Sequence, residues 1–527
     1  MRDVWRWKSA RALAGGLLLA MAAPPFPPAL IGLALVGAVL LAGTLEDDRR
    51  AAGDQPHTPT FSRAVLYGWW FGLATNLVAM RFVPSTIARF TDLPWAAAAA
   101  GWWLLSLAQG GVWAVAAAVA WGLGRAGVPR WLAFGAGVGA AALTPALFPW
   151  TLAGPFARAP LLLQPAELIG ERGMAVVFAL AAGLIAAGGQ RAQSPFVARA
   201  GARRAVLAAF AILASVLAYG LVRRPMLDAA RAHAKTKPIA LIQQAVPPKD
   251  RWRSELAPAI VTKLWSLTRL AQEQGAELAI WPEAAYPYVV RPQGGRESGP
   301  FRIRGPGVHV EVLTGVLADA PAPEGAEPGS RWSYNAATLV DLEGDYAPVA
   351  AKLELLAFGE VVPFANLFPS LRRTFARGGG LVPGADAVLL RTRARGPEVR
   401  AGILNCYEDT LPSVARRVAK ASPNLLVNLT NDAWFGVTAE PELHLLEAVT
   451  RAIEARRDML RAVNTGVTVH VDAAGREVAR APREVATFLL VRPALLEGGP
   501  TPYVRFGDAT WLLPLGLAAV LARRRRA

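Results

Sequence analysis

The chain holds one cysteine, Cys406, among 527 residues. An apolar run at 399–404 leads straight into Asn405-Cys406-Tyr407-Glu408. A thiolate is an acyl-accepting nucleophile, but a thiol needs a neighbouring base or a lowered pKa before it acts. A free cysteine is also among the residue types that most often pack silently in a core. Being alone, it forms no intrachain disulfide. The five histidines are widely spaced, give no Cys/His metal-ligand pattern, and none lies near Cys406 in sequence. A carboxylate can replace histidine as base. Trp281-Pro282-Glu283 places one at the end of an apolar run, and ligands gather at the C-terminal edge of strands in α/β sheets. Taken alone, Glu283 reads equally as a surface or helix-capping acid. Lys352, followed by Phe358-Gly359-Glu360, offers an ammonium that can steady a thiolate and a developing oxyanion. A lysine by itself is nearly always a solvated charge. Together, Glu, Lys and Cys from three strand ends make an acyl-transfer site that calls for neither metal nor cofactor.

Two further segments stand out. Residues 428–436 (Asn-Leu-Thr-Asn-Asp-Ala-Trp-Phe-Gly) follow a strand-like run and read as a turn, with Trp434 and Phe435 as core or binding residues. The helical pattern carrying Arg451, Ala452, Ile453, Glu454 and Arg456 reads as scaffold and runs on to Arg461, Asn464, Thr465 and Gly466.

The elements that must position these residues are short. Runs at 238–243, 278–281, 308–317, 336–341, 399–405 and 424–430 are rich in Val, Ile and Leu and predict buried strands. Helical patterns occupy 254–274, 411–420 and 443–457. Their alternation with strands predicts an α/β layered domain. The segments 294–300 and 321–329 are Gly/Pro-rich loops.

Outside that stretch the chain changes character. It is 53% hydrophobic and 18% charged overall, against roughly 25% charged in soluble domains. Residues 12–45 carry no charge, about 50 Å of helix where a ~30 Å hydrocarbon core must be crossed. Pro24, Pro25, Pro27 and Pro28 interrupt them, which predicts a hairpin of two short helices. Further apolar runs fall near 64–80, 97–123, 131–150, 173–189, 203–222 and 509–522, making eight candidate spans. The net charge of +17 accompanies no nucleic-acid-binding motif, so its placement beside apolar runs reads as cytoplasmic loops. Arg2, Arg6, Lys8 and Arg11, then Arg49, Arg50 and Arg63, then Arg125 and Arg130, then Arg191, Arg199, Arg203 and Arg204, and lastly Arg523 to Arg526 all fall on one side if there are eight crossings. Arg81, Arg89, Arg158, Arg172, Arg223 and Arg224 fall on the other. The prediction is seven transmembrane helices in 1–224, an extracytoplasmic catalytic domain in 225–508, and a last span with a basic tail in 509–527.

On these motifs the 225–508 stretch resembles the nitrilase (carbon–nitrogen hydrolase) superfamily, and the whole chain is similar to the apolipoprotein N-acyltransferase family. The resemblance implies an αββα sandwich embedded in an eight-helix transmembrane bundle of the bacterial inner membrane, facing the periplasm, with both termini cytoplasmic. It implies Glu283 as general base, Lys352 as the group stabilising the tetrahedral intermediate, and Cys406 as nucleophile. Glu360 would orient the lysine or the triad, and Tyr407 and Glu408 would support the nucleophile. Trp252 would lie near the active-site entrance, with Trp434 and Phe435 as further entrance candidates. Loops around 361–383 and 431–441 are candidates to guide a lipid tail. The implied reaction moves a fatty acyl chain from a membrane phospholipid, through a cysteine thioester, to the N-terminal amine of a diacylglyceryl-lipoprotein, with no cofactor and no nucleic-acid partner. Some positions depart from the family pattern. Glu354, Leu356 and Ala357 stand where the family has His and Val-Pro, Ala284-Ala285-Tyr286-Pro287 follows the base, and Leu443 precedes His444 in place of Gln. These departures keep two other readings open: a membrane-tethered nitrilase-type amidase or hydrolase, and a catalytically inactive paralogue.

Overall fold

The computed structural model describes residues 2–46, 59–91, 93–191, 196–324, 329–363, 380–394 and 396–524. Arg49, Arg50, Arg525, Arg526 and most of the 361–383 loop lie outside them. The chain divides into two compact units, one of residues 1–88, 93–224 and 506–527, the other of 89–92 and 225–505.

The first unit is helical. α1 (Arg2–Met21) and α2 (Leu33–Thr44) flank the proline-rich turn, because a proline ring and a missing N–H are tolerated between helices but not inside one. α3 (Phe61–Ala79), α4 (Val83–Phe90), α5 (Trp95–Arg125), α6 (Arg130–Leu143), α7 (Ala166–Arg191), α8 (Phe196–Ala232) and α12 (Ala509–Arg524) follow. The apolar runs expected to be spans are helical over most of their length, though the 131–150 run leaves the helix after Leu143, and α4 is an addition that its mixed composition concealed. α3 packs against both α1 and α5. Contact with α5 is close because Gly72 faces Gly110: a Cβ at Gly72 would sit 2.5 Å from the Gly110 carbonyl oxygen. Small residues at such crossings let helix backbones approach where no hydrophobic driving force separates them from lipid. Among the described residues, three helices are long and apolar enough to cross a bilayer, Trp95–Arg125, Ala166–Gly189 and Ala200–Ala232. Pro28–Thr44 and Arg130–Leu143 are shorter apolar helices.

The second unit is a two-sheet sandwich. Its principal strands are β1 (Ile239–Gln243), β2 (Leu278–Ile280), β3 (Glu311–Ala320), β4 (Trp332–Val340), β5 (Leu389–Arg391), β6 (Arg400–Asn405), β7 (Leu425–Thr430), β8 (Met459–Val463), β9 (Val469–Val471), β10 (Glu477–Arg480) and β11 (Thr487–Val491). One sheet runs β11-β1-β2-β3-β4, with β1, β2 and β3 parallel; the other runs β5 through β10 in order, with β6, β7 and β8 parallel. Alternate side chains from both sheets interdigitate: Leu241, Ile280 and Leu339 meet Ile403, Val427 and Leu460 in one core. The opposite side chains of the first sheet, Ile242 and Val312 among them, pack on Ile260, Val261 and Leu264 of α9 (Ala257–Glu273). On the second sheet α10 (Pro412–Lys420) packs against β6 and against α11 (Glu440–Ala455). Strands covered on both faces must be apolar throughout, which is why β1, β2 and β7 read as continuous runs.

β5, β8, β9, β10 and β11 were not foreseen. β8 is Met-Leu-Arg-Ala-Val, and Arg461 at its centre breaks the apolar pattern although it is fully buried. β3 begins at Glu311 rather than 308, and β4 begins at Trp332 rather than 336 because its first four residues mix polar and aromatic types.

Candidate active site

Three chain turns deliver the site. β2 ends at Ile280, and Trp281-Pro282-Glu283 continues from it; the Trp281 N–H donates to Leu313 O at 2.8 Å. Gly315 on β3 lets the Glu283 backbone approach closely: a Cβ there would lie 2.4 Å from Ala284 N and 2.7 Å from Glu283 Cα. β6 ends at Asn405, and Cys406 opens a short 3₁₀ turn, Cys406–Thr410, with φ +51°. A β-carbon in the left-handed region costs about 1 kcal/mol and persists where the surroundings enforce it. They do so here: the Cys406 carbonyl accepts from Asn428 Nδ2 at 2.9 Å. The third turn follows the short strand Ala350–Ala351, which pairs with β4, and the Lys352 N–H donates to Asn335 O at 2.8 Å.

Glu408 joins two of these turns. Its Oε2 accepts from Asn405 N at 2.7 Å, and its Oε1 accepts from Leu353 N at 2.5 Å and Glu354 N at 3.0 Å. The cysteine turn and the lysine turn are therefore held by one buried carboxyl, whose pKa burial pushes up to about 7 against the pull of Lys352. Lys352 Nζ lies 2.7 Å from Glu360 Oε2 and 3.7 Å from Glu283 Oε1. Asn335 Nδ2 donates at 2.8 Å to both Glu283 Oε1 and Glu360 Oε1. The Cys406 thiol and the Glu283 carboxyl stand close enough to influence each other's ionisation. Glu283, Lys352, Cys406, Glu360 and Glu408 thus form one cluster.

Burial sets the protonation states. It raises the Glu283 carboxyl above the usual carboxylate range, Lys352 opposes this, and Glu360 adds to it. Burial and then Glu283 hold the Cys406 pKa well above that of a free thiol. Burial disfavours the Lys352 ammonium, but Glu360 and Glu283 outweigh it and the amine stays charged. Burial also disfavours ionised Glu360, yet Lys352 and the hydrogen bonds hold its pKa low. At rest the site contains a thiol, an ammonium–carboxylate pair, and a carboxyl of enhanced basicity. The chemistry open to it is proton removal from sulfur by Glu283 as sulfur attacks a carbonyl, beside a fixed cation for the oxyanion. A carboxyl that accepts the thiol proton must be ionised and the Glu283 pKa is raised, so with Glu283 in that role acylation of Cys406 is expected to fall with decreasing pH along a limb centred above about 4.3, the ordinary glutamate value. A stopped-flow pH profile of the acylation burst reads this; a rate flat from pH 5 to 8 would exclude Glu283 as base.

Other expected residues lie around the cluster. Tyr407 is half-buried, and burial, then Glu354, raise its phenol to about 12. Trp252 is exposed, with the Arg251 guanidinium 5.3 Å from its ring centroid. The Trp434 ring packs on Phe90 at 4.2 Å, and Phe435 is half-buried after the turn Asp432–Trp434. Trp252, Trp434 and Phe435 stand outside the hydrogen-bonded cluster.

Asn335 was missed. Its only signal was a polar residue entering the apolar run of β4. A second group also escaped notice as a unit. His444 Nε2 lies 2.8 Å from Asp409 Oδ1 and its Nδ1 3.1 Å from Asp432 Oδ1; Arg461 pairs with Asp409 and stands 3.7 Å from Asp432 Oδ2. Asp432, Glu440 and His444 also present ligand atoms within 4.8 Å of one another. Both ring nitrogens of His444 already face carboxylates. Burial disfavours its charged form, but Asp409 and Asp432 overcome this and raise its pKa to about 10. With these ion pairs the group is a charge-compensated network behind the cysteine turn.

Comparison with known proteins agrees with the two-unit division. Residues 15–184 match the family model of the apolipoprotein N-acyltransferase N-terminal domain, and residues 238–492 match that of carbon-nitrogen hydrolase. The apolipoprotein N-acyltransferase of Methylococcus capsulatus is 32% identical over 98% of this chain and 96% of its own length. That of Geobacter metallireducens is 33% identical over 72% of this chain and 71% of its own. With both parts matched in order along nearly its whole length, the chain belongs to the apolipoprotein N-acyltransferase family.

Proposed function

We propose that this chain moves a fatty acyl group from a membrane phospholipid to the N-terminal amine of diacylglyceryl-cysteine on apolipoproteins, with Cys406 carrying the acyl group between them. Glu283 takes the thiol proton as sulfur attacks the donor ester carbonyl. Lys352 faces the oxyanion. The C–O bond breaks, and Glu283 returns the proton to the departing lysophospholipid oxygen. In the second half, the acceptor amine attacks the thioester carbonyl, Glu283 takes the amine proton, and the C–S bond breaks to restore the thiol. Glu360 and Asn335 position the lysine and the base, and Glu408 ties the nucleophile turn to Lys352. The observation that carries this reading is the Glu283–Lys352–Cys406 cluster, its acid and amine buried and its thiol partly exposed, in a chain that also has the apolar helical unit of the family.

The same reading sets the chain in the inner membrane with eight spans, termini in the cytoplasm, residues 225–508 in the periplasm, and Trp252, Trp434 and Phe435 at the lipid entrance. The one-sided arginines of the helix connections support it, as do the exposed apolar side chains of α8, such as Leu207, Phe210, Leu221 and Val222, which water would penalise as a continuous patch. A hydrolase with water as acceptor would share the cluster. Intact-protein mass spectrometry after incubation with phospholipid separates the readings. The expected result is one fatty acyl adduct on the wild-type chain, none on Cys406→Ala, and discharge by a diacylglyceryl peptide at least about tenfold faster than by water. No adduct would sink the proposal, and equal discharge by water would make the chain a hydrolase.

A further inference from the structure

Arg251 is a buried cation with hydrogen bonds left to make. Its side chain is only 3% exposed. Nη1 donates to Ala285 O at 3.3 Å, two residues past Glu283, while Nε and Nη2 have no hydrogen-bond partner among the described residues. Its guanidinium lies 5.3 Å from the ring centroid of Trp252, which is itself 57% exposed. A buried charge without compensation is among the more expensive things a fold retains. Burial draws the Arg251 pKa down to about 10 with Glu283 opposing, so the group remains a cation at neutral pH. Nε and Nη2 form the side-on fork that accepts two oxygens of one planar or tetrahedral anion. Glu283 of the cluster acts on it electrostatically but gives it no hydrogen bond among the described residues; Glu360 is engaged by Lys352 and Asn335, and Glu408 by three backbone N–H groups.

We propose that the Nε/Nη2 edge of Arg251 is the binding site for the phosphodiester of the acyl donor, holding it so that the donor's ester carbonyl reaches Cys406. This rests on the phospholipid-donor reading above. A phosphodiester is a monoanion with two free oxygens, which matches one guanidinium fork in charge and geometry. The glycerol unit separates it from the ester carbonyl by only a few bonds, as Arg251 and the base are separated by a single contact at Ala285. Trp252 covers the guanidinium as a lid of low dielectric, which strengthens the pair.

The test uses the full-length protein in detergent and non-cleavable ether lipids, so that binding is read apart from chemistry. Wild type is expected to bind a dialkyl glycerophosphoethanolamine at least about tenfold more tightly than the matching dialkylglycerol, which lacks phosphate. Arg251→Gln is expected to abolish that preference, and Arg251→Lys, which keeps charge but loses the fork, to retain part of it. A wild type without preference overturns the proposal, as does a preference that survives Arg251→Gln. Inorganic phosphate is the third arm. Arg251-dependent binding of phosphate combined with an Arg251-independent lipid preference would assign the site to a free anion and overturn the donor assignment. If Arg251→Gln fails to fold, the wild-type pair and Arg251→Lys still decide. Failure of the functional reading is seen separately, as the lack of an acyl adduct on Cys406 in wild type.

Discussion

Lys352→Met is expected to reduce acyl transfer by about 10³-fold or more, the scale on which a single oxyanion donor acts, and to destabilise the catalytic unit as well. The amine is the only cation in direct contact with Glu283 and Glu360 among the described residues, and both carboxyls share the single Asn335 amide donor. Without it, two buried acids face each other. Removing one partner of a buried pair costs about 3–5 kcal/mol, reduced to the extent that one acid takes up a proton. Lys352→Arg retains the charge but brings a larger planar group into a position 1% exposed, so folding should recover more than turnover. The measurements are single-turnover acylation and thermal unfolding in detergent, both at pH 7. A methionine variant that acylates within tenfold of wild type would remove the lysine from the mechanism.

The second large effect is expected at a distance from the reacting atoms. Arg461→Met leaves Asp409 and Asp432, both fully buried, with His444 as their remaining cation. A loss of about 3–5 kcal/mol is expected. The pH dependence carries a sign. The folded His444 pKa, about 10, lies above the unfolded value of about 6.5. The stability it contributes is fully present below about 6.5 and is lost as pH rises through about 10. Arg461 is a like charge that presses this pKa down, so in Arg461→Met the alkaline limb should move to higher pH even as overall stability falls. Hydrogen exchange across β8 and the Cys406–Thr410 turn as a function of pH would report both. A limb that stays in place would detach His444 from the network.

What the sequence disclosed follows from burial. β2 and β6 are covered on both faces, so their contiguous aliphatic residues announce a strand, and a charged or nucleophilic residue at the end of such a run stands out. That is why Glu283 and Cys406 were readable. Lys352 follows a strand of two residues, too short for any periodicity, and acquires meaning only beside the other two and through family resemblance. Asn335 and Arg461 were illegible for the opposite reason. Each is a polar side chain inside a strand, where a single chain cannot distinguish a buried, compensated group from a solvated one. β8 was lost with Arg461. Arg251 fell inside a polar segment whose loop gives no sign that its side chain turns inward. The long helices of the first unit were readable because apolar runs of that length have few other uses, whereas the short, mixed α4 was not.

The pairing of the Glu283 carboxyl with the Cys406 thiol has a consequence for how the proposed enzyme handles hydrogen ions. One H⁺ shuttles from sulfur to carboxyl to the departing alcohol, and a second shuttles from the incoming amine to carboxyl and back to sulfur. If the amine arrives uncharged, a full round trip neither draws from nor releases to bulk solvent. Catalysis then asks for no proton channel to bulk solvent.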